Sequence, residues 1–150
     1  MSQSNAHREL VLATAAAIQR LHPDALVRAD IQESPGDPVP PLIGGFRPDV
    51  FAHSVCAYPN VVIAEAKTDR DIESPHTMDQ IGAFLDHLDT LPHGIGTFIL
   101  AVDGSAADLA RAFLGFACRQ RVSNRLRVKL FDGLDFWLLG ALGVRQWRLC

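Results

Sequence analysis

No apolar run in this 150-residue chain is long enough to cross a membrane as a helix. The longest, Leu10 to Ile18 (tolerating Thr14) and Phe136 to Val144, each reach nine residues, about half of the roughly 20 that a spanning helix needs. Glu9 before the first run and Gln19-Arg20 after it do not suit a secretory leader. Cysteine is scarce: Cys56, Cys118 and Cys150 are odd in number and widely spaced, which fits neither a disulfide framework nor a zinc ribbon. Reduced thiols in a cytoplasmic protein are the expectation, with Cys118 a buried, inert thiol on an apolar helix. No Gly-rich phosphate loop is present either. Gly94-Ile95-Gly96 is too short, and Gly44-Gly45 precedes a strand rather than a helix, so nucleotide hydrolysis is disfavoured. The six histidines make no His-Glu-x-x-His or other tight ligand spacing and are expected mostly on the surface.

What is present is a chain 48% hydrophobic and 21% charged, enough to bury one core, and residues 1–150 are read as a single domain. The net charge of −3 conceals an asymmetry. Residues 1–110 hold 6 Lys and Arg against 15 Asp and Glu, whereas residues 111–150 hold 8 against 2. A basic last third on an acidic body permits a polyanionic partner, although a solvated basic helix face and strand edge would show the same count.

Patterning along the chain predicts the element order α-β-β-β-α-β-α-β-β. Ser4 or Asn5 caps a first helix to about Leu21, with Leu10, Ala13, Ala17 and Leu21 on one stripe. Ala25 to Ile31 alternates as a strand. Residues 32–45 hold seven Pro or Gly in fourteen positions and read as a long loop. Phe46 to His53 and Asn60 to Lys67 form an antiparallel hairpin around Tyr58-Pro59-Asn60. Ser74-Pro75 opens a second helix with Met78, Ile81, Leu85 and Leu88 inward, ending near Leu91-Pro92. A buried strand at Ile95 to Val102, a helix over about Ala106 to Arg121, and strands at 126–131 and 135–139 around Asp132-Gly133 complete the reading. Helices packed on a mixed sheet follow from that order.

Strand alternation also decides which side chains meet. Val61, Ile63, Glu65 and Lys67 share one face, as do Arg47, Asp49 and Phe51. Pairing of the two strands brings Asp49 toward Glu65 and Lys67. Two carboxylates suit a hard divalent cation, Mg2+ or Mn2+, which polarises a phosphodiester and activates water, while a lysine orients that water or stabilises transition-state charge. The same three side chains would also serve as a strand-end ion pair. Arg47 contacts phosphate or pairs with a neighbouring acid.

Gly45-Phe46-Arg47-Pro48-Asp49-Val50, with fifteen residues between Asp49 and the following Glu65-Ala66-Lys67, resembles the PD-(D/E)xK nuclease superfamily. That family's α-β-β-β-α-β core matches residues 5–102 here. The resemblance implies an α/β/α sandwich with a central mixed sheet and a restriction-endonuclease-like core, extended by a C-terminal helix and strands. It places the metal at Asp49, Glu65 and Ala66, and catalysis at Asp49, Glu65 and Lys67. Glu9 matches the acidic residue that many members bring from the first helix, although it lies where an ordinary solvated glutamate would also sit. Gln80 matches the glutamine after Glu-x-Lys in the exonuclease and Holliday-junction-resolvase branches. Where some branches read Gln-x-x-x-Tyr, this chain has Phe84 and lacks the hydroxyl.

The expectation is therefore a Mg2+- or Mn2+-dependent nuclease acting on DNA, with a catalytically silent binding or dimerisation module as the alternative. Arg119, Arg121, Arg125, Arg127 and Lys129, within eleven residues, are the candidate DNA-binding group together with Arg47. The dense apolar stretch Phe136-Trp137-Leu138-Leu139 with Ala141, Leu142, Val144 and Trp147 points either to a homodimer interface or to the finishing of the core.

Overall fold

Two cores, one on each side of a seven-stranded mixed sheet, organise the molecule. The computed structural model describes residues 4–54, 60–118 and 125–140, and the main chain of 143–147. The elements are α1 (Asn5–Leu21), β1 (Leu26–Ala29), β2 (Val50–His53), β3 (Asn60–Lys67), α2 (Pro75–Asp89), β4 (Ile95–Val102), α3 (Ala107–Ala117), β5 (Leu126–Phe131), β6 (Phe136–Gly140) and β7 (Gly143–Trp147). A 3-10 turn, Gly104–Ala106, precedes α3. Strand order in the sheet follows sequence order. β1 pairs antiparallel with β2 and β2 with β3, β3, β4 and β5 are mutually parallel, and β6 and β7 return antiparallel.

The connections dictate the layers. Two successive crossovers, β3–α2–β4 and β4–α3–β5, move in the same direction, and the common right-handedness of such units puts both helices on one face. There Ile81, Phe84 and Leu85 of α2 and Ala110 and Leu114 of α3 pack on Ile63, Phe98, Leu100 and Leu130. The other face is left to α1. Its sheet residues are small, with Ala52, Ala64, Ala66 and Ala101 all buried, so the helix lies close above them. The result is the α/β/α layering expected from the sequence.

Local chemistry sets the ends of the elements. Ser4 Oγ accepts from the His7 N–H at 3.2 Å, and Ser74 accepts from Thr77 at 3.1 Å with Pro75 opening α2. The buried residues of α1 are Val11, Thr14, Ala17 and Ile18, a stripe rotated from the expected Leu10, Ala13, Ala17, Leu21, of which Leu10, Ala13 and Leu21 are only partly covered. Thr14 tolerates burial because its hydroxyl donates to the Leu10 carbonyl at 2.6 Å. Strand β2 begins at Val50 rather than Phe46. Pro48 has no N–H to give a ladder, and Ile43 and Phe46 instead close a tight turn on Gly44-Gly45. The expected turn at Tyr58-Pro59 lies outside the described residues, as do Cys56 and Cys150. Cys118 is half-buried rather than buried, because it caps the end of α3. Strand β7 was not anticipated. In the late apolar stretch Phe136 is fully buried and stacks 4.7 Å from Phe131, so this part of it completes the core. The side chains of Ala141, Leu142, Val144 and Trp147 lie outside the described residues.

Candidate active site

The carboxyl ends of the parallel strands carry the polar cluster. Extension of the β2–β3 register beyond Val50↔Ala64 sets Asp49 against Glu65, and both are buried, at 6% and 3% exposure. The Asp49 N–H donates to Glu65 Oε2 at 3.2 Å, and the Ala66 N–H donates to Asp49 Oδ2 at 2.9 Å. Lys67 Nζ stands 3.2 Å from Glu65 Oε1 and donates to Gln80 Oε1 at 2.7 Å. Gln80 faces inward from α2, on the helix stripe that also carries Ile81 and Phe84. Asp49, Glu65, Lys67 and Gln80 thus form one hydrogen-bonded chain; strand alternation in the sequence predicts the first three together, and the family resemblance adds Gln80.

The electrostatics of the pair are strained. Burial, and then the charge of Asp49, push the Glu65 carboxyl up to about 8, against the opposing effect of the Lys67 ammonium. One lysine does not offset two buried carboxylates. Among the described residues no group of three or more His, Cys, Asp or Glu converges as a metal site. The donors offered here are two carboxylates and the main chain of Ala66, a set within what Mg2+ accepts when it keeps several waters.

The first helix reaches this cluster through His7 rather than Glu9. His7 Nε2 lies 3.3 Å from Asp49 Oδ2, and that contact holds the imidazole above its ordinary range in spite of burial. Glu9, two residues on, is exposed and lines a cleft of about 460 Å3. The rotated stripe explains the exchange. His7 precedes Val11, Thr14 and Ile18 at helical spacing, so it lies on the covered face and Glu9 does not. That stripe was the signal that could have found it. A second unanticipated residue is Asp30, whose N–H donates to the Asp49 carbonyl at 2.8 Å. Burial raises its carboxyl, opposed by the charge of Arg47 and reinforced by Asp49. Arg47 is exposed and acts on this acid.

The cleft runs beside the cluster on the α1 side, lined by His7, Glu9, Lys67, Asp69, Asp103 and Asp132 among others. The expected basic group is elsewhere. Arg119 and Arg121 lie outside the described residues. Arg127 pairs with Thr97, five residues before the Val102 that pairs with Lys67, which sets it roughly 16 Å along the strands from the site. Arg125 lies further toward that same end, its guanidinium on the Pro92 carbonyl at 3.2 Å. Lys129 is 5% exposed, facing the α1 side near Phe136, and burial holds its ammonium below the usual range. A buried lysine cannot join an exposed binding edge.

No family model, no curated protein and no solved structure matches this chain. No described helix is long and apolar enough to cross a membrane.

Proposed function

We propose that the chain is a metal-dependent nuclease that hydrolyses DNA phosphodiesters, of PD-(D/E)xK type with a restriction-endonuclease-like core. One observation carries the reading: Asp49, Glu65 and Lys67 meet at the ends of β2 and β3, and the lysine is held by Gln80 of the following helix. The residues fit a divalent cation, because two buried carboxylates and the adjoining Ala66 main chain offer hard oxygen donors, and burial and crowding of the pair push Glu65 up to about 8 despite the Lys67 ammonium. Asp49, Glu65 and the Ala66 main-chain carbonyl would hold Mg2+ or Mn2+. A cation bound there supplies Lewis-acid stabilisation of the phosphate and a water of lowered pKa.

The protein's own groups do the rest. Lys67 Nζ, fixed between Glu65 and Gln80, orients the attacking water or stabilises charge developing on the phosphate oxygens. His7 and the Ala66 N–H fix the Asp49 carboxylate.

The test is cleavage of single strands, duplexes, flaps and junctions with Mg2+ or Mn2+. Cleavage lost in Asp49→Ala and Glu65→Ala supports the reading. A wild-type chain that cuts none of these contradicts it and favours a silent binding or dimerisation module, a reading to which the self-satisfied hydrogen bonds of Asp49 and Glu65 also lend themselves.

A further inference from the structure

We propose that the cleft beside Lys67 holds one unpaired base of the substrate strand, and that Asp69 and Asp103 make it select guanine over thymine. The inference rests on the nuclease reading and names the base specificity of that same site.

The cleft is continuous with the carboxylate site. One wall is the start of α1, with His7, Glu9 and Leu10, and the other is made by the loops that leave the carboxyl ends of β3, β4 and β5. Lys67 and His7, which contact Glu65 and Asp49, line it at the β3 end. Leu134, 83% exposed on the β5–β6 turn, lines it at the other. Two strand spacings, roughly 10 Å, separate those loops. The volume of about 460 Å3 lies in the range that takes one small ligand. A strand whose phosphate lies at Lys67 reaches into this space with one sugar and its base.

Hydrogen bonding decides what the interior accepts. The donors at the β3 end are engaged: Lys67 stands on Glu65 and donates to Gln80, His7 Nε2 lies on Asp49, and Thr68 gives its hydroxyl proton to Asp71. Asp132 is spent on its own turn, accepting from the Leu134 and Asp135 N–H groups at 3.0 and 2.7 Å and from Trp137 Nε1 at 2.9 Å. Two other acids follow neighbouring strands. Lys67 pairs with Val102, so Asp69 lies two residues past the end of β3 and Asp103 one past the end of β4. The Asp69 carboxylate accepts no hydrogen bond among the described residues, and Asp103 uses only Oδ1, on the Ser105 N–H at 3.2 Å. Glu9 on the opposite wall adds to the negative charge.

The interior therefore offers open acceptors beside aliphatic surface. Phosphates are kept at the Lys67 end, whereas a neutral base that presents N–H groups is held. Guanine carries two adjacent donors, a ring N–H and an exocyclic amino group, in the fork that one carboxylate accepts. Thymine carries one ring N–H between two carbonyl oxygens, which a carboxylate repels. Those donors lie on the edge that base pairing covers, so the base that enters is unpaired.

The experiment is an NMR titration of the isotope-labelled protein with deoxyguanosine monophosphate and with thymidine monophosphate, in EDTA. Both probes carry the same phosphate, so the difference between them reports the base. The guanine nucleotide is expected to bind about tenfold more tightly or better, the size of one good bidentate contact, with amide shifts centred on Thr68, Asp69, Gly104 and Ser105. Asp69→Asn, at a carboxylate that supports no bond of the fold, should reduce the preference about threefold or more. Adding Asp103→Asn should bring the two affinities within about twofold, with an unchanged circular dichroism spectrum. Equal affinity of wild type for the two nucleotides, a preference undiminished in Asp69→Asn, or shifts centred outside the cleft overturns the proposal. Because no cleavage is needed, a protein that binds the guanine nucleotide selectively but cuts nothing refutes the nuclease reading alone. One that cuts DNA without this preference refutes the base selection alone.

Discussion

The two ends of the parallel strands β3, β4 and β5 are chemically opposite. At the carboxyl end buried Asp49 and Glu65 and half-buried Lys67 are hydrogen-bonded together and flanked by α1 and α2. At the amino end Arg125 and Arg127 stand exposed. In open α/β sheets ligands bind outside the carboxyl ends of the strands, where the crossovers leave a crevice. The comparison teaches that counting charge along a chain does not locate it. Of the basic last third marked by composition, the described Arg125 and Arg127 stand at the end opposite the carboxylates, and Lys129 is taken into the core.

The sharpest way to break this comparison is at Lys67. Lys67→Ala should lower the cleavage rate by roughly 10² to 10⁴. Single-turnover assays at saturating Mn2+ check this, and a wild-type rate would show that the chemistry lies outside the cluster. Next comes Gly44, whose left-handed φ and contact with Ala83 leave no room for a methyl group. Gly44→Ala should cost about 1–3 kcal/mol, lowering the melting temperature of a chain this size by roughly 2–12 °C. An unchanged melting curve would mean that the Ile43–Phe46 turn is not seated on α2.

A smaller effect is expected from pH. The Glu65 carboxyl is raised from 4.5 to about 8, so the folded chain binds its proton more tightly than the unfolded chain. That stabilisation is complete below about 4.5 and is lost as pH rises through about 8. Metal-free protein should melt lower at the alkaline end of this window, and Glu65→Gln should flatten the decline. Parallel melting profiles for the two proteins would contradict the strained pair. Smallest is the effect of the opposite end. Arg125→Glu with Arg127→Glu should leave saturated turnover of a short substrate unchanged, and should weaken only long strands whose flanks reach those side chains, with a shallower salt slope.

Much of this was legible in the sequence. The β-rich segment Asn60–Lys67 and the apolar run Ile95–Val102 mark two strands whose bounds coincide with β3 and β4, and Ser74-Pro75 marks the start of α2. Glu65 and Lys67 were legible because they end a strongly patterned strand, Asp49 because the pairing of the flanking segments sets it against them, and Gln80 through the family resemblance. His7 was not, because an alanine-rich helix offers several stripes of similar apolarity and Thr14 disguises the one that is buried. Asp30 was hidden for another reason: its partner Asp49 is set by the β1–β2 register across a loop of irregular length. Lys129 reads as surface charge until its strand is flanked on both sides.

The most direct measurement is a calorimetric titration of Mn2+ into the wild-type protein, Asp49→Ala, Glu65→Ala and Lys67→Ala. The expected result is uptake by wild type and Lys67→Ala, with uptake lost from both carboxylate variants. No uptake by wild type at millimolar Mn2+, or undiminished uptake by Glu65→Ala, would contradict a cation site built on Asp49 and Glu65.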